Sequence, residues 1–159
     1  SDWVVGPEKE SVLIINIIDE CSRHALWTEA HHSISATKLI DILDKVVAWR
    51  GAPRYIRCDN GPEFIAKRLK TRAEDKGIEL KYIQPGKPTQ NGLIEMLNKT
   101  LRVECINLHW FTSLAELNAK IQALSVTYNQ KRPHSSLGYQ APINFENSNK
   151  NFYFRVVAA

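Results

Sequence analysis

Cysteine is scarce in this 159-residue sequence, and its three cysteines, Cys21, Cys58 and Cys105, lie far apart. Their number is odd, and no C-x-x-C spacing or neighbouring histidine cluster accompanies them. This argues against a disulfide framework and a zinc site, and it is typical of a protein from a reducing cytosol. Long apolar runs are also absent: the longest, VLIINII at 12–18, is far too short to span a membrane, and no signal-peptide charge pattern precedes it. We therefore expect a soluble, cytoplasmic protein with no membrane partner.

A large excess of one charge is missing as well, because the net charge is +4 and the pI is near 9.0. The distribution along the chain is more informative than the total. Basic residues number 5 against 8 acidic ones in 1–50, 10 against 6 in 51–100, and 6 against 3 in 101–159. The basic surplus thus lies in the last two thirds of the chain. With 43% hydrophobic residues, the chain can build the core of a single compact domain.

Hydrophobic periodicity and turn residues predict a mixed α/β layer with antiparallel strands first and helix-linked strands after. Ser35 is a predicted N-cap, Gly51 and Gly77 are stop signals, and Ser113 with Glu116 forms a capping box. We expect a core at 1–145 and a C-terminal tail at 146–159 with a final short strand at 151–157. The other predicted elements are strands at 2–5, 11–18, 23–29, 55–58 and 78–83 and helices at 36–50, 62–76, 91–108 and 114–129. The chain opens without a leader or start methionine, so we also expect it to be part of a longer protein.

One carboxylate stands where a predicted strand stops and a helix is about to begin, in the stretch IRCDNGPEFI at 56–65. Asp59 is followed by Asn60 and Gly61, which favour a tight turn, and by a proline suited to a first helical turn. Such an aspartate is either a helix cap or part of a catalytic site. Local sequence does not distinguish the two.

A second carboxylate, Glu95, follows Asp59 by 36 positions on a predicted amphipathic helix. Its polar stripe lies opposite a stripe of apolar residues. The members of the polar stripe are Asn91, Glu95, Asn98 and Arg102, and those of the apolar stripe are Leu93, Leu97, Leu101, Cys105 and Leu108. The helix should therefore pack through its leucines and present Glu95 on the other side.

A third carboxylate, Asp2, lies in the first strand. If the first and fourth strands are neighbours, Asp2 and Asp59 converge at one sheet edge, and Glu95 completes a set of oxygen ligands suited to Mg²⁺ or Mn²⁺. Two such ions can activate an attacking water or hydroxyl and stabilise the leaving oxygen of a phosphodiester. Asp19 is the alternative first carboxylate, although its position better suits the start of the turn after the second strand.

Six segments of the sequence resemble a known family, the D-D-E transposases and retroviral integrases, and within it the integrase-like transposases of bacterial insertion sequences. The interval of 35 residues between Asp59 and Glu95, the approach TQNGLIE, and Arg102 seven positions after Glu95 occur together. The segments are DWVV at 2–5, NIIDECSR at 16–23, WRGAPRYIRCDNGPEF at 49–64, GIELKYIQPGKPTQNGLIEMLNKTLRVE at 77–104, LHWFTSLAE at 108–116 and YNQKRPHSSLGYQAP at 128–142.

The resemblance implies a ribonuclease H-like α/β fold, with a five-stranded mixed sheet flanked by helices. It implies that Asp2, Asp59 and Glu95 are the catalytic, metal-binding triad and that Mg²⁺ or Mn²⁺ is the cofactor, with two ions when DNA is bound. The implied activity is polynucleotidyl transfer at transposon DNA ends: nicking, then attack by a freed 3′-hydroxyl. The implied partners are DNA and further copies of the chain, in the bacterial cytoplasm at the nucleoid.

Basic and amide-bearing residues near Glu95 in the sequence, and the donor-rich turn that contains Arg132 and His134, are candidate DNA contacts. For Lys99 and Arg102 the alternative is an ion pair with Glu95 or Glu104. For Arg132 and His134 it is an ordinary helix exit. The candidates are Lys87, Gln90, Asn91, Asn98, Lys99, Arg102, Arg132 and His134.

Two other functions fit the same residues. One is a nuclease that shares the triad and cleaves RNA–DNA hybrids or junctions. The other is a non-catalytic DNA-binding or assembly module from a decayed transposase. Cys58, beside Asp59, is expected to be a core residue rather than a nucleophile.

Overall fold

The structure, a computed structural model, describes residues 2–5, 9–149 and 154–159, and of residues 2, 4, 5 and 88 it describes the backbone alone. Short 3₁₀ turns occur at Pro88–Asn91, Ile106–Leu108 and Ser135–Leu137. The main elements are β1 Asp2–Val5, β2 Glu10–Asp19, β3 Ala25–His31, α1 Ala36–Arg50, β4 Tyr55–Cys58, α2 Pro62–Ile65, α3 Lys67–Asp75, β5 Glu79–Tyr82, α4 Gly92–Glu104, α5 Leu114–Lys131, α6 Pro142–Ser148 and β6 Val156–Ala158. Helix α6 is an element that the sequence pattern did not predict.

Six strands occupy five positions across one mixed sheet. Leu13 of β2 pairs with His31 of β3 on one side and with Asp2 of β1 on the other. Ile17 pairs in the same way with β3 and with Ala158 of β6, so β1 and β6 follow each other along the same edge of β2. Strand β6 also pairs with β4, and β4 with β5, both in parallel. The predicted five-stranded mixed sheet is confirmed, with the short strands β1 and β6 sharing one of the five positions.

The C-terminal strand lies at the centre of this sheet, between β2 and β4. It begins at Val156, whereas the predicted start at Asn151 lies outside the described residues. The boundary predicted after residue 145 falls within α6, Pro142–Ser148. The segment predicted as a tail therefore contributes a central strand to the core.

Alternate residues of β2 build two hydrophobic layers, one on each face of the sheet. Ile14 and Ile18 pack in the layer that includes residues of α4 and α5. Ile15 and Ile17 pack in the layer that includes residues of α1 and α3. This period of two is why β2 is nearly continuous in apolar residues: both of its faces are covered.

The predicted helix ends are largely those of the structure. Ser35 Oγ accepts a hydrogen bond from the Lys38 backbone N–H at 3.1 Å, and α1 ends before Gly51, whose φ of +86° favours glycine. Ser113 Oγ accepts from the Glu116 N–H at 3.1 Å. The Glu116 carboxylate accepts from the N–H and hydroxyl of Thr112 instead of the Ser113 N–H, so the serine half of the predicted capping box forms and the glutamate half is displaced by one residue.

The helix predicted at 62–76 is two helices, because Ala66 adopts an extended conformation with ψ of +137°. Phe64 and Leu69 are both buried, although residues five apart lie about 140° from each other around a continuous helix. The break lets both side chains reach the core. Helix α4 likewise ends at Glu104, and Leu108 is 67% exposed instead of continuing the apolar stripe. Among the helices of the described residues, none is long and apolar enough to cross a membrane.

Candidate active site

Asp59 is fixed where β4 ends by a hydrogen-bonded turn. Its Oδ1 accepts a hydrogen bond from the Gly61 backbone N–H at 2.7 Å, which holds the side chain over the turn. The Asn60 amide donates to the Ile83 carbonyl oxygen at 2.8 Å and so ties the turn to the chain leaving β5. Asp59 is half-buried, so its carboxylate is both held in place and accessible.

Gly61 keeps open a space between two carboxylates. A β-carbon at this position would lie 2.9 Å from Oε1 of Glu63 and 3.0 Å from Oδ1 of Asp59, both too close for an ordinary contact. The φ of Gly61 is −59°, which any residue can adopt, so a side chain here would be opposed only by these two carboxylates, which it would push aside. Glu63 was not among the candidate residues singled out from the sequence. Its signal is a carboxylate four positions after Asp59, beyond a glycine.

Helix α4 crosses the sheet at the level of Asp59. The Asn16 side chain of β2 donates to Oδ1 of Asn98 on α4 at 2.8 Å, and the Asn16 backbone exchanges two hydrogen bonds with Ala159, at 2.8 and 3.0 Å. Asp59 directly follows Cys58, which pairs with Ala158, so Asp59 and Ala159 stand at the same level in neighbouring strands. Glu95, which is exposed, precedes Asn98 by about one turn of the same helix.

The backbone of Asp2 lies at the same end of the sheet. The strand that pairs with β4 is β6 rather than β1, which corrects the condition placed on the first and fourth strands. Strand β1 lies further along the same edge of β2 and runs antiparallel to it, as β6 does. Asp2 is therefore beyond the end of β6, on the side where Asp59 leaves β4. The Asp2 side chain lies outside the described part of the structure.

Asp19, the alternative first carboxylate, belongs to the opposite end of the sheet, where it pairs with Val156. Its side chain is fully buried, and Oδ1 accepts from the backbone N–H groups of Cys21 at 2.8 Å and Ser22 at 3.3 Å. Oδ2 accepts from Arg50 at 3.2 Å. Burial raises the pKa of Asp19, although these hydrogen bonds and the Arg50 charge oppose the rise. Asp19 therefore fixes the turn after β2, as its position suggested.

The donor chemistry at the Asp59 end fits a divalent cation. Carboxylate oxygens are what Mg²⁺ and Mn²⁺ bind, and the gap above Gly61 leaves room beside two of them. Among the side chains that the structure describes, no three histidine, cysteine, aspartate or glutamate groups are gathered closely enough to hold an ion by themselves. The side chain of Asp2 is outside the described part, so it was not among the groups compared. With Asp59 and Glu95, Asp2 would have to supply the third ligand of a triad.

Cys58 is not available as a nucleophile. Its side chain is buried, and burial together with the neighbouring charge of Asp59 raises the pKa of the thiol to about 12. A neutral buried thiol is a poor nucleophile, because the thiolate is the reactive form. The expectation that Cys58 is a core residue is confirmed.

The predicted DNA contacts fall into two groups. Some form contacts with other residues of the chain. The Asn98 side chain accepts a hydrogen bond from Asn16, and Gln90 Oε1 accepts from the Gln84 N–H at 2.9 Å. Arg132 forms an ion pair with Glu104, and His134 is only 7% exposed.

The second group faces solvent. Lys87 and Lys99 are exposed, and within the described residues they form no ion pair. Arg102 is exposed and places its guanidinium carbon 4.9 Å from the ring centre of Trp3 in β1. Asn91, which is half-buried, has an Oδ1 atom without a hydrogen-bond donor in the described structure.

The chain belongs to the integrase core domain family: one model of that family matches residues 1–88 and a second matches residues 76–142. It is 42% identical over 134 residues to the insertion element IS407 uncharacterized 31.7 kDa protein of Burkholderia multivorans, covering 84% of this chain and 48% of that protein. It is 32% identical over 95 residues to the transposase for insertion sequence element IS904 of Lactococcus lactis, covering 59% and 38%. The chain thus spans half or less of these relatives.

Solved structures show the same fold. The HTLV-2 integrase catalytic core domain in complex with magnesium, in a trimeric form, matches with a TM-score of 0.67 and 16% identity over 91% of each chain. A chain of the simian T-cell lymphotropic virus intasome matches with a TM-score of 0.77 and 16% identity, over 97% of this chain and 54% of that one. The predicted ribonuclease H-like fold is confirmed.

Proposed function

We propose that the chain is the catalytic core of an insertion-sequence transposase that carries out metal-dependent phosphoryl transfer on DNA ends, first nicking a strand and then joining a freed 3′-hydroxyl to a second phosphodiester. Membership of the integrase core family supports this class of reaction. The observation that carries the proposal is the link through Asn16, which puts the helix of Glu95 at the level of Asp59.

Three carboxylates are the proposed ligands of the cofactor. Asp59 is held by the Gly61 N–H through one oxygen, and its other oxygen accepts no hydrogen bond from the described residues. Glu95 is carried on α4, whose buried Leu97 and Leu101 fix the helix against the sheet. Asp2 is the proposed third ligand. When bound, Mg²⁺ or Mn²⁺ supplies Lewis-acid activation of the attacking oxygen and of the leaving oxygen. No protein nucleophile is needed, in keeping with the buried thiol of Cys58.

DNA is the proposed substrate and principal partner. Lys87 is exposed in the loop before α4, and Lys99 and Arg102 are exposed on α4 itself. All three offer positive charges for phosphate oxygens. Joining two ends of one element to a target requires more than one active site, so we also propose that the chain acts as a homo-oligomer.

Asp59→Asn and Glu95→Gln test the proposal, with Asp44→Asn as the matched control because Asp44 pairs with Arg72 away from the site. The assay follows nicking and strand transfer on terminal-repeat DNA with Mg²⁺ and Mn²⁺. We expect each site variant to lose about a thousandfold or more in rate while melting as the parent does, and the control to stay active. Metal-dependent strand transfer by either site variant would overturn the proposal. Cleavage of RNA–DNA hybrids without strand transfer would favour the nuclease alternative.

A further inference from the structure

We propose that Glu63 is a further carboxylate of the catalytic centre, holding a divalent cation together with Asp59 across the gap that Gly61 leaves open. The inference rests on the proposed function, because it adds a residue to the same site. It concerns a residue outside the Asp2, Asp59 and Glu95 triad.

The geometry brings the two carboxylates together. Oε1 of Glu63 and Oδ1 of Asp59 lie 2.9 and 3.0 Å from one point, the place of a β-carbon on Gly61. The two oxygens are therefore at most roughly 6 Å apart, a separation at which like charges repel unless a cation or proton lies with them. Two carboxylates at this separation can both reach one hydrated divalent ion.

The glycine at position 61 is a second feature of the gap. Its backbone conformation does not need glycine. Its φ of −59° suits any L-residue, yet any side chain would fill the space between the two acids. A β-carbon at this position would therefore push the Glu63 side chain away from Asp59. Helix geometry alone does not require this, since a side chain is tolerated at an ordinary helix N-cap.

Charge balance points the same way. Within the described residues, neither Asp59 nor Glu63 forms an ion pair, whereas other acids of the chain are matched by arginines. A helix-end role for Glu63 is the simple alternative, because an acid in a first turn interacts well with the helix dipole. Helix α2 has only four residues, however, and no side-chain cap bond stabilises its start. A helix this short has a small dipole, so it stabilises the charge of Glu63 only weakly.

The two roles predict opposite signs in Glu63→Gln. If Glu63 holds a cation, removing its charge relieves repulsion in the metal-free protein, so thermal stability without metal stays equal or rises. Affinity for Mn²⁺, measured by titration calorimetry and by electron paramagnetic resonance of free Mn²⁺, falls about tenfold. If Glu63 only stabilises the helix end, metal-free stability falls and the Mn²⁺ affinity is unchanged. That second result would overturn the proposal.

Three further variants complete the experiment. Gly61→Ala fills the gap and should also weaken Mn²⁺ binding, and normal binding by this variant would count against a cation in the gap. Glu79→Gln, an exposed glutamate on β5, should bind Mn²⁺ as the parent does. Asp59→Asn separates the two levels of inference. If it loses Mn²⁺ while Glu63→Gln does not, only the role of Glu63 fails, and if it binds normally, the proposed function fails as well.

Discussion

The two ends of the sheet treat their acidic residues in opposite ways. Near the start of β4, the carboxylates of Asp19, Glu20 and Glu146 are each matched by an arginine. Where β4 ends, Asp59, Glu63 and Glu95 have no such partner among the described residues. At the first end, arginine side chains of the chain itself neutralise the carboxylates. At the second end the chain leaves carboxylates without a basic partner among the described residues, so they would be available to the proposed divalent cation.

The paired end is a network around Glu146 of α6. Arg50 donates to Glu146 at 2.7 and 2.9 Å, the Ser22 hydroxyl donates at 2.6 Å, and His24 Nδ1 lies 3.0 Å away. Burial on its own raises the pKa of Glu146, but the hydrogen bonds from His24, Arg50 and Ser22 outweigh it and hold this pKa well below its usual value. The ionised form is therefore the one that the fold stabilises.

The difference separates structural from chemical use of the same side-chain type. A buried carboxylate is costly unless donors surround it, so a network such as that of Glu146 rigidifies the turn after β2 and the start of the C-terminal segment. Unpaired carboxylates on a fixed turn contribute nothing of this kind. Substitutions at the two ends should consequently affect different quantities: stability at one and metal binding at the other.

The largest expected effect on stability is at the paired end. Arg50→Met leaves Asp19, 0% exposed, and Glu146, 15% exposed, without their shared guanidinium. We expect the free energy of unfolding to fall by about 3 kcal/mol and the melting temperature by roughly 10 °C. Urea denaturation followed by circular dichroism measures this.

The matched control is Arg72→Met, which removes an arginine from a surface pair with Asp44. Both side chains of that pair are more than a third exposed, so the loss should be within about 1 kcal/mol. Equal losses for Arg50→Met and Arg72→Met would remove the contrast between the buried network and the surface.

The next largest effect concerns the unpaired end. Mn²⁺ at a hundredfold excess over its dissociation constant should raise the free energy of unfolding of the parent chain by about 2.7 kcal/mol. Asp59→Asn should lose this increment, because its carboxylate is a proposed ligand. Arg50→Met should keep it at its lower baseline. If Arg50→Met abolished the increment while remaining folded, the two ends would not be independent.

Local signals made much of the fold predictable. The caps at Ser35 and Ser113 and the stop at Gly51 depend on residues within a few positions, so the sequence carries them directly. The turn after Asp59 was predictable for the same reason, since Asn60 and Gly61 are turn residues wherever they occur.

Features that depend on distant partners were not predictable. Three residues, Val156–Ala158, are too short to show a pattern that would place them at the sheet centre. The hydrogen bond between Asn98 and Asn16, which is 82 positions away in the sequence, is one such feature, and the predicted DNA contact of Asn98 stays a prediction. The proximity of Glu63 to Asp59 depends on how its side chain folds back over Gly61, which no periodicity reveals.

A smaller effect compares basic residues in the same way as the acids. Lys99 is exposed and forms no ion pair within the described residues, whereas Arg132 is paired with Glu104. In fluorescence-anisotropy titrations, Lys99→Ala should weaken DNA binding and reduce the slope of log affinity against log salt by about 1. Arg132→Ala should change the slope less. A larger slope change for Arg132 would place the DNA on the side of α5 instead.

The smallest effect comes from His134, a buried titratable group near the paired end, where Arg23 reaches Ser136 at 3.2 Å. Its ring packs edge-on against Tyr128, and its Nε2 has no hydrogen-bond partner in the described structure. Burial, and then the charges of Arg132 and Arg23, lower the pKa of His134 below its usual value. As pH falls below about 6.5, the unfolded chain therefore takes up a proton that the folded one resists. Stability should decline from pH 7.5 to 5.5, and His134→Phe should flatten that decline in urea titrations, whereas parallel curves for parent and variant would show that His134 does not titrate in this range.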